Sequence, residues 1–207
     1  MTPAQPIIHV VDDDASFRTA VTRLLRAAKY EVRSYASASE FLAAIPGVTP
    51  GCVVLDVRMP GVSGLELQQS LATVAEPLPI IFLSGHGDIP ISVRAMKAGA
   101  VDFLTKPVRR EALLRTVQNA LERDATERKS RAIMRELRSR YETVTARERE
   151  VLAHVVSGKL NKQIAFDLGT SERTIKAHRA SIMDKLGVQS VAELVRLAQE
   201  LGIQPVR

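Results

Sequence analysis

Five short strand-like runs, Ile7-Val11, Glu31-Tyr35, Cys52-Leu55, Ile80-Leu83 and Val101-Leu104, alternate with segments of helical spacing through the first half of the chain. That rhythm leaves few folds open. The middle runs are continuously apolar, as strands covered on both faces are. Between them, Phe17, Val21, Leu24 and Ala28 fall on one helical stripe, and Ser37/Glu40 and Ser63/Glu66 have the spacing of capping boxes. A fourth helical segment starts near Asp88-Ile89-Pro90 and stops at Gly99, and a fifth starts near Arg109. Strand and helix in strict alternation predict an α/β domain built on a parallel, doubly wound sheet with right-handed crossovers.

In such a sheet, ligands bind beyond the carboxyl ends of the strands, so the residues that follow each run carry the functional information. The first run ends in Asp12-Asp13-Asp14, the third in Asp56, the fourth in Ser84, and the fifth leads into Lys106-Pro107. Adjacent carboxylates repel unless a cation neutralises them, and hard oxygen donors suit Mg²⁺. A lysine and a serine hydroxyl beside them can hold phosphoryl oxygens. Asp56 stands alone at the end of a central run and is the candidate nucleophile, with Asp12 and Asp13 placed to hold the metal. His86, two residues past Ser84, reads as a surface loop residue that could also affect phosphoryl lifetime. Cys52 reads as a small core residue.

Beyond residue 108 the helical spacing is nearly unbroken and the charge changes. Net charge is +6 over 207 residues, distributed as about +1 for residues 1–123, +3 for 124–141 and +2 for 142–207. The middle stretch has no Gly or Pro and places Ile133, Leu137 and Tyr141 at i, i+4 and i+8. It reads as a helical linker that continues the preceding helix. The pattern fits pairing with a copy of itself and a fully solvated helix equally well. From Glu142 four short helices follow. Thr145/Glu148 forms a capping box before Val151, Leu152, Val155 and Val156; the others run Asn161 to Leu168, Ser171 to Leu186 and Ser190 to Leu201. A short helix, a turn at Gly169 and a longer helix make a helix-turn-helix layout.

One cysteine excludes an internal disulfide framework and suits a reducing cytoplasm, and no apolar run approaches the ~20 residues that cross a bilayer. The expected location is cytoplasmic, with no membrane partner.

Val11-Asp12-Asp13-Asp14, Val53-Val54-Leu55-Asp56, Arg58-Met59-Pro60-Gly61-Val62-Ser63-Gly64, Ser84-Gly85-His86-Gly87-Asp88, Met96-Lys97-Ala98-Gly99-Ala100 and Phe103-Leu104-Thr105-Lys106-Pro107 together resemble the receiver domain of two-component response regulators. The resemblance covers residues 5–123. It implies a CheY-like five-stranded sheet, phosphorylation of Asp56 by a sensor histidine kinase, and Mg²⁺ held by Asp13, Asp56 and the backbone carbonyl of Arg58, with Asp12 acting mostly through water. It further implies Ser84 and Phe103 as coupled switch residues and a cis Lys106-Pro107 bond. A phosphoryl group on Asp56 would draw Ser84 and Lys106 toward it and alter the face made by the fourth helix, fifth strand and fifth helix, which would then dimerise or release the C-terminal domain.

On a helical wheel, the third C-terminal helix buries Ile175, Ile182 and Leu186 and presents Arg173, Lys176, Ala177 and Ala180, with His178 and Arg179 flanking the buried stripe. Short side chains at the centre with basic ones at the edge suit the major groove, and Lys162 on the preceding helix can take a phosphate. Thr145-Ala146-Arg147-Glu148-Arg149-Glu150-Val151-Leu152, Asn161-Lys162-Gln163-Ile164-Ala165, and Thr174-Ile175-Lys176-Ala177-His178-Arg179 through Met183-Asp184-Lys185-Leu186 resemble the LuxR/FixJ-type helix-turn-helix. Ala180 stands where some relatives carry a longer basic side chain. The resemblance implies dimer contacts from the fourth helix, at Val191, Leu194, Val195 and Ala198, with Leu201 on the same stripe.

The resulting expectation is a phosphorylation-dependent transcriptional regulator, an activator by its FixJ-like resemblance. Its domains are a receiver (1–123), a helical linker (124–141) and an all-α, four-helix DNA-binding domain (142–207). Its partners would be a sensor kinase, double-stranded promoter DNA, RNA polymerase and, once phosphorylated, a second copy. It would be no enzyme beyond accepting and slowly losing its own phosphoryl group. A phosphatase with an aspartyl-phosphate intermediate would need a general acid where Arg58 stands and room for a substrate cap. A helical bundle that binds protein or RNA remains the other alternative.

Overall fold

A computed structural model of the protein describes residues 5–44, 49–74, 76–85 and 89–206. The chain divides into two compact units, 1–129 and 130–207. The division falls inside one long helix, and each unit is described separately below.

The first unit is built on a five-stranded sheet of order β2-β1-β3-β4-β5. Its strands are β1 (Ile7–Val11), β2 (Glu31–Tyr35), β3 (Gly51–Asp56), β4 (Ile80–Ser84) and β5 (Asp102–Thr105). Every neighbouring pair is parallel. The connecting helices are α1 (Ala15–Ala27), α2 (Ala38–Ala44), α3 (Gly64–Ala72) and α4 (Ile89–Lys97), and α5 (Arg110–Glu142) follows β5.

The strict alternation of side chains divides the strands between two cores. Val11, Val53, Leu55, Ile80 and Phe82 join Phe41, Leu67, Leu71 and Ala95 on one face. Ile8, Val10, Cys52, Val54, Ile81 and Leu83 join Val21, Leu25, Leu113 and Val117 on the other. This two-sided burial explains why β3 and β4 carry no polar residue before their last position. Cys52 is wholly buried, and desolvation pushes its thiol up to about 12, so it is a packing residue.

Residues 110–129 of α5 belong to this unit, and they include the first turn of the expected linker. Asp124 is 2% exposed and accepts the Gly51 N–H at 2.9 Å. Arg128 binds both Asp124 carboxylate oxygens at 2.9 and 2.8 Å and the Thr49 carbonyl at 2.9 Å. Arg128 therefore fastens the helix to the entry of β3, and its charge is not on offer to a polyanion. Arg140 likewise pairs with Glu136 at 3.0 Å. Both pairs lie inside residues 124–141, so the net +3 of this stretch already counts them.

The second unit contains α6 (Ala146–Val156), α7 (Asn161–Asp167), α8 (Glu172–Leu186) and α9 (Val191–Glu200). Side-chain caps start three of them: Thr145 with Glu148 as a complete capping box, Ser171 accepting from the Thr174 N–H, and Ser190 from the Glu193 N–H. Gly187 ends α8 in the left-handed conformation at φ 69°. Val151, Leu152, Ile164, Ile175, Ile182, Leu186, Leu194 and Ala198 form its core.

Candidate functional site

Because all five strands run the same way, their carboxyl ends share one edge of the sheet. Asp12 directly follows β1, Asp56 ends β3, Ser84 ends β4 and Lys106 directly follows β5. Asp12, Asp13 and Asp56 each bring a carboxylate oxygen to within 4.8 Å of the others. Lys106 joins two of them, with Nζ 2.7 Å from Asp12 Oδ2 and 3.3 Å from Asp56 Oδ1. Its position is set by the backbone, since the Lys106 N–H donates to the Ser84 carbonyl at 2.7 Å. The ammonium also lies 4.2 Å from the centre of the Phe17 ring, a cation–π contact.

Asp12 and Asp56 are buried and Asp13 is exposed. Burial raises the Asp56 carboxyl above its ordinary value; Lys106 opposes this, and the Asp12 charge adds to it. For Lys106, burial works against the charge, but the hydrogen bonds and charges of Asp12 and Asp56 outweigh it and hold the ammonium above its usual value. One ammonium cannot balance three carboxylates. The surplus of hard, anionic oxygens, with an exposed member facing water, fits a divalent cation of the magnesium type. The third aspartate of the run has a different job: Asp14 caps α1, accepting the N–H groups of Ser16 and Phe17 at 2.8 and 3.1 Å.

Gly64 allows α3 to start against this edge. A Cβ there would lie 2.3 Å from the Asp56 carbonyl oxygen. Ser84 is 3% exposed, and Phe103 is half-buried with its ring centre 6.2 Å from that of Phe82. Phe103 thus already leans on the core face. The Lys106-Pro107 bond is cis. Arg58 is exposed two residues after Asp56. His86 lies outside the described residues.

In the second unit α8 buries Ile175, Ile182 and Leu186 and exposes Arg173, Lys176, Ala177 and Ala180, while His178 and Arg179 are half-buried. Lys162 is exposed on α7. Arg179 is engaged within the unit: its Nη1 donates to Asn161 Oδ1 at 2.6 Å, tying α8 to the start of α7. On α9, Leu194 and Ala198 correct the expected dimer face. Both are fully buried in their own unit's core, because the single apolar stripe of this helix is already used for folding. Val191 is exposed and Val195 half-buried.

Two features escaped the sequence pattern. Glu148 is recognisable as half of a capping box, yet it is 5% exposed and also accepts from Ser181 Oγ at 2.7 Å and Lys185 Nζ at 2.6 Å. Burial pushes this carboxyl up, but Lys185, Ser181 and the two Thr145 donors outweigh it and draw it down to about 2. The Asp124–Arg128 clasp is the other. The Asp124–Arg128 pair is itself local, at i and i+4, but its anchors Gly51 and Thr49 lie 73 and 79 positions away, and no local spacing announces those contacts or the ones Glu148 makes with α8.

Among the described residues no helix is long and apolar enough to cross a membrane. Residues 8–118 match the model of the response regulator receiver domain, and residues 142–198 that of the luxR family of bacterial regulatory proteins. The chain is 44% identical over 201 residues to the response regulator protein TmoT of Ectopseudomonas mendocina, covering 97% of this chain and 91% of that protein. It is 41% identical over 196 residues to the transcriptional regulatory protein FixJ of Bradyrhizobium diazoefficiens, covering 95% and 96%. The solved structure of the response regulator StyR is 46% identical, with a TM-score of 0.81, covering 95% of this chain and all of that one. Such a receiver implies a sensor kinase as partner, and such a helix-turn-helix implies DNA. With both modules in this order, the chain belongs to the two-component response regulators of the FixJ type, transcription regulators with a LuxR-type DNA-binding domain.

Proposed function

We propose that Asp56 is the phosphoryl acceptor and that its phosphorylation controls DNA binding by the second unit. The observation that carries this reading is the ammonium of Lys106 shared between Asp12 and Asp56 at one sheet edge. A carboxylate oxygen of Asp56 attacks the phosphoryl group of a kinase phosphohistidine; the new O–P bond forms as the N–P bond breaks and the electron pair returns to the imidazole. Mg²⁺ held by Asp13, Asp56 and the Arg58 carbonyl, with Asp12 through water, would neutralise charge that builds on the phosphoryl oxygens. Lys106 exchanges its contact with Asp56 for a phosphoryl oxygen, and the Ser84 hydroxyl donates to another. That movement pulls the end of β4 toward Asp56 and lets Phe103 pack further inward.

The surface that responds comprises α4, β5 and α5. Ile89, Val93 and Met96 are exposed at 74%, 45% and 44%, an apolar stripe on α4 suited to a second phosphorylated copy. In the second unit α8 enters the major groove, with Lys176 and Arg173 reaching base edges or phosphates and Ala177 and Ala180 approaching thymine methyls. His178 approaches the groove from its flank, Arg179 takes a lesser part because Asn161 holds its guanidinium, and Lys162 takes a phosphate. Val191 and Val195 are what α9 leaves for a dimer contact. The protein acts in the cytoplasm as an activator that engages RNA polymerase, with residues 1–123 as receiver, 124–141 as linker and 142–207 as DNA reader.

Mapping bound DNA genome-wide with the wild type and Asp56→Asn tests this. Promoter occupancy confined to the wild type is expected. Identical maps remove phosphorylation from the mechanism.

A further inference from the structure

The Lys106 ammonium has Asp12 Oδ2 at 2.7 Å, Asp56 Oδ1 at 3.3 Å and, over its face, the Phe17 ring with the centre 4.2 Å away. The two carboxylates take part in phosphoryl transfer. The ring neither accepts a phosphoryl group nor ligates a cation, yet the chain fixes it in place. The Phe17 N–H donates to Asp14 Oδ1 at 3.1 Å, so the cap that starts α1 also sets the residue that bears the ring. Beside it, Arg18 Nη1 donates to the Asp12 carbonyl at 2.6 Å and ties this first turn to the end of β1. Phe17 is half-buried against the core face that holds Val21 and Leu25. The ammonium, by contrast, sits on a flexible four-carbon stem.

What holds that ammonium changes as the site is loaded. A divalent cation on the same carboxylates offsets their charge and repels Lys106. A phosphoryl group then converts the Asp56 carboxylate into an acyl ester. The face of a phenyl ring carries a negative potential that neither event removes. A partner of constant strength matters most where the others have weakened. With both carboxylates free, they keep Lys106 at the edge with or without the ring. With a cation on them, the ring decides how often the ammonium is in reach of an arriving phosphoryl oxygen.

We infer that Phe17 is a positioning residue for phosphoryl transfer, its ring keeping the Lys106 ammonium at the sheet edge when Asp12 and Asp56 hold it less. This rests on the reading of Asp56 as the phosphoryl acceptor. It adds to that reading a group on α1 that acts only through Lys106.

The test uses the full chain at saturating Mg²⁺ with phosphoramidate as donor, so that no kinase contact enters. A carboxylate oxygen of Asp56 attacks phosphorus, the P–N bond breaks, and its electron pair leaves with ammonia. The phosphorylation rate is measured for the wild type, Phe17→Tyr, Phe17→Leu, and chains carrying trifluoro- or pentafluorophenylalanine at position 17. Those two analogues nearly keep the ring's shape while first draining and then reversing the charge of its face. The Mg²⁺ affinity of the unphosphorylated protein is read from amide NMR shifts on the same set. Phe17→Tyr is expected to stay within about twofold of wild type and Phe17→Leu to fall about fivefold, with the fluorinated rings slowing in order of fluorination. Mg²⁺ affinity should hold or rise in each slowed variant, because an ammonium that leaves more readily repels the cation less. A rate indifferent to fluorination overturns the inference even if Phe17→Leu is slow. So does a Mg²⁺ affinity that falls in step with the rate, the mark of general damage to the edge. Failure of the acceptor reading looks different: Asp56→Asn would then take up the phosphoryl group as fast as the wild type.

Discussion

Asp56 and Glu148 are both buried carboxylates next to a lysine, yet the protein holds Asp56 above its ordinary range and draws Glu148 down to about 2. Burial opposes the charge on each. What differs is the donor supply. Asp56 shares Lys106 with Asp12 and has that carboxylate as a negative neighbour, whereas Glu148 has Lys185, Ser181 and Thr145 to itself. An under-compensated carboxylate is suited to changing partners, as the proposed phosphorylation of Asp56 requires. A fully compensated one fixes the N-terminus of α6 to α8 and holds the reading helix still. The sensing unit stores unbalanced charge, and the reading unit removes it.

The largest effect on this contrast comes from disturbing the edge that holds Asp56. Gly64→Ala would set a Cβ 2.3 Å from the Asp56 carbonyl, a backbone atom that cannot swing aside. Overpacking of this kind costs ~3 kcal/mol. The unfolding midpoint of the first unit should fall and that of the second should stay, as measured by denaturation of the full chain with one probe in each unit. A midpoint unchanged in both would mean that α3 can shift away from β3.

Acid sharpens the same comparison. His9 is wholly buried, stacked on Tyr35, and burial followed by the charge of Arg33 lowers it from 6.5 to about 4. The unfolded chain therefore takes up a proton at this position before the folded one does, so the first unit loses stability as pH falls from 6.5 toward 4. Asp56 acts with the opposite sign, because its raised value makes the folded state take up a proton first. In the second unit, the depressed Glu148 gives stability that is complete above 4.5 and is lost as pH falls through about 2. At pH 5 the first unit should thus be weakened by His9 while the second keeps its full Glu148 contribution. Glu148→Gln should cost the second unit ~2 kcal/mol at neutral pH and flatten its dependence between 4.5 and 2. Hydrogen exchange resolved by unit would sink this if both units lost protection over the same pH range.

How far the sequence carried depended on whether a feature was local. Strand runs, capping boxes at Ser63 and Thr145, and the burial of Ile175, Ile182 and Leu186 all follow from local runs and spacings, and each lies close to where that spacing predicts. The meeting of Asp12, Asp56 and Lys106 was legible too, because parallel strands bring their carboxyl ends to one edge whatever their separation. Contacts that depend on tertiary packing were not legible. Glu148 meets Lys185 across 37 positions, and Asp124 meets Gly51 across 73. The apolar stripe of α9 looked available for a dimer because a helical wheel cannot tell which partner claims it. Leu194 and Ala198 went to the unit's own core.

Arg179 gives the smallest predicted effect and the finest division of the reading unit. The helical wheel sets it beside the buried stripe rather than on the open face with Lys176, and it is half-buried and donates to Asn161 at 2.6 Å. Lys176 is exposed and makes no ion pair among the described residues. A lysine that neutralises one phosphate contributes about 0.9 to the slope of log affinity against log salt. Lys176→Met should therefore lower that slope by close to this amount per copy. Arg179→Met should lower it by less than half as much, while costing ~1 kcal/mol of unit stability through the lost Asn161 bond. Anisotropy titrations across a salt series measure the slopes, and thermal unfolding of the same variants measures the stability. If Arg179→Met changes the slope as much as Lys176→Met and leaves stability intact, its guanidinium abandons Asn161 for phosphate on the DNA, and the reading helix is less fixed than Glu148 makes it.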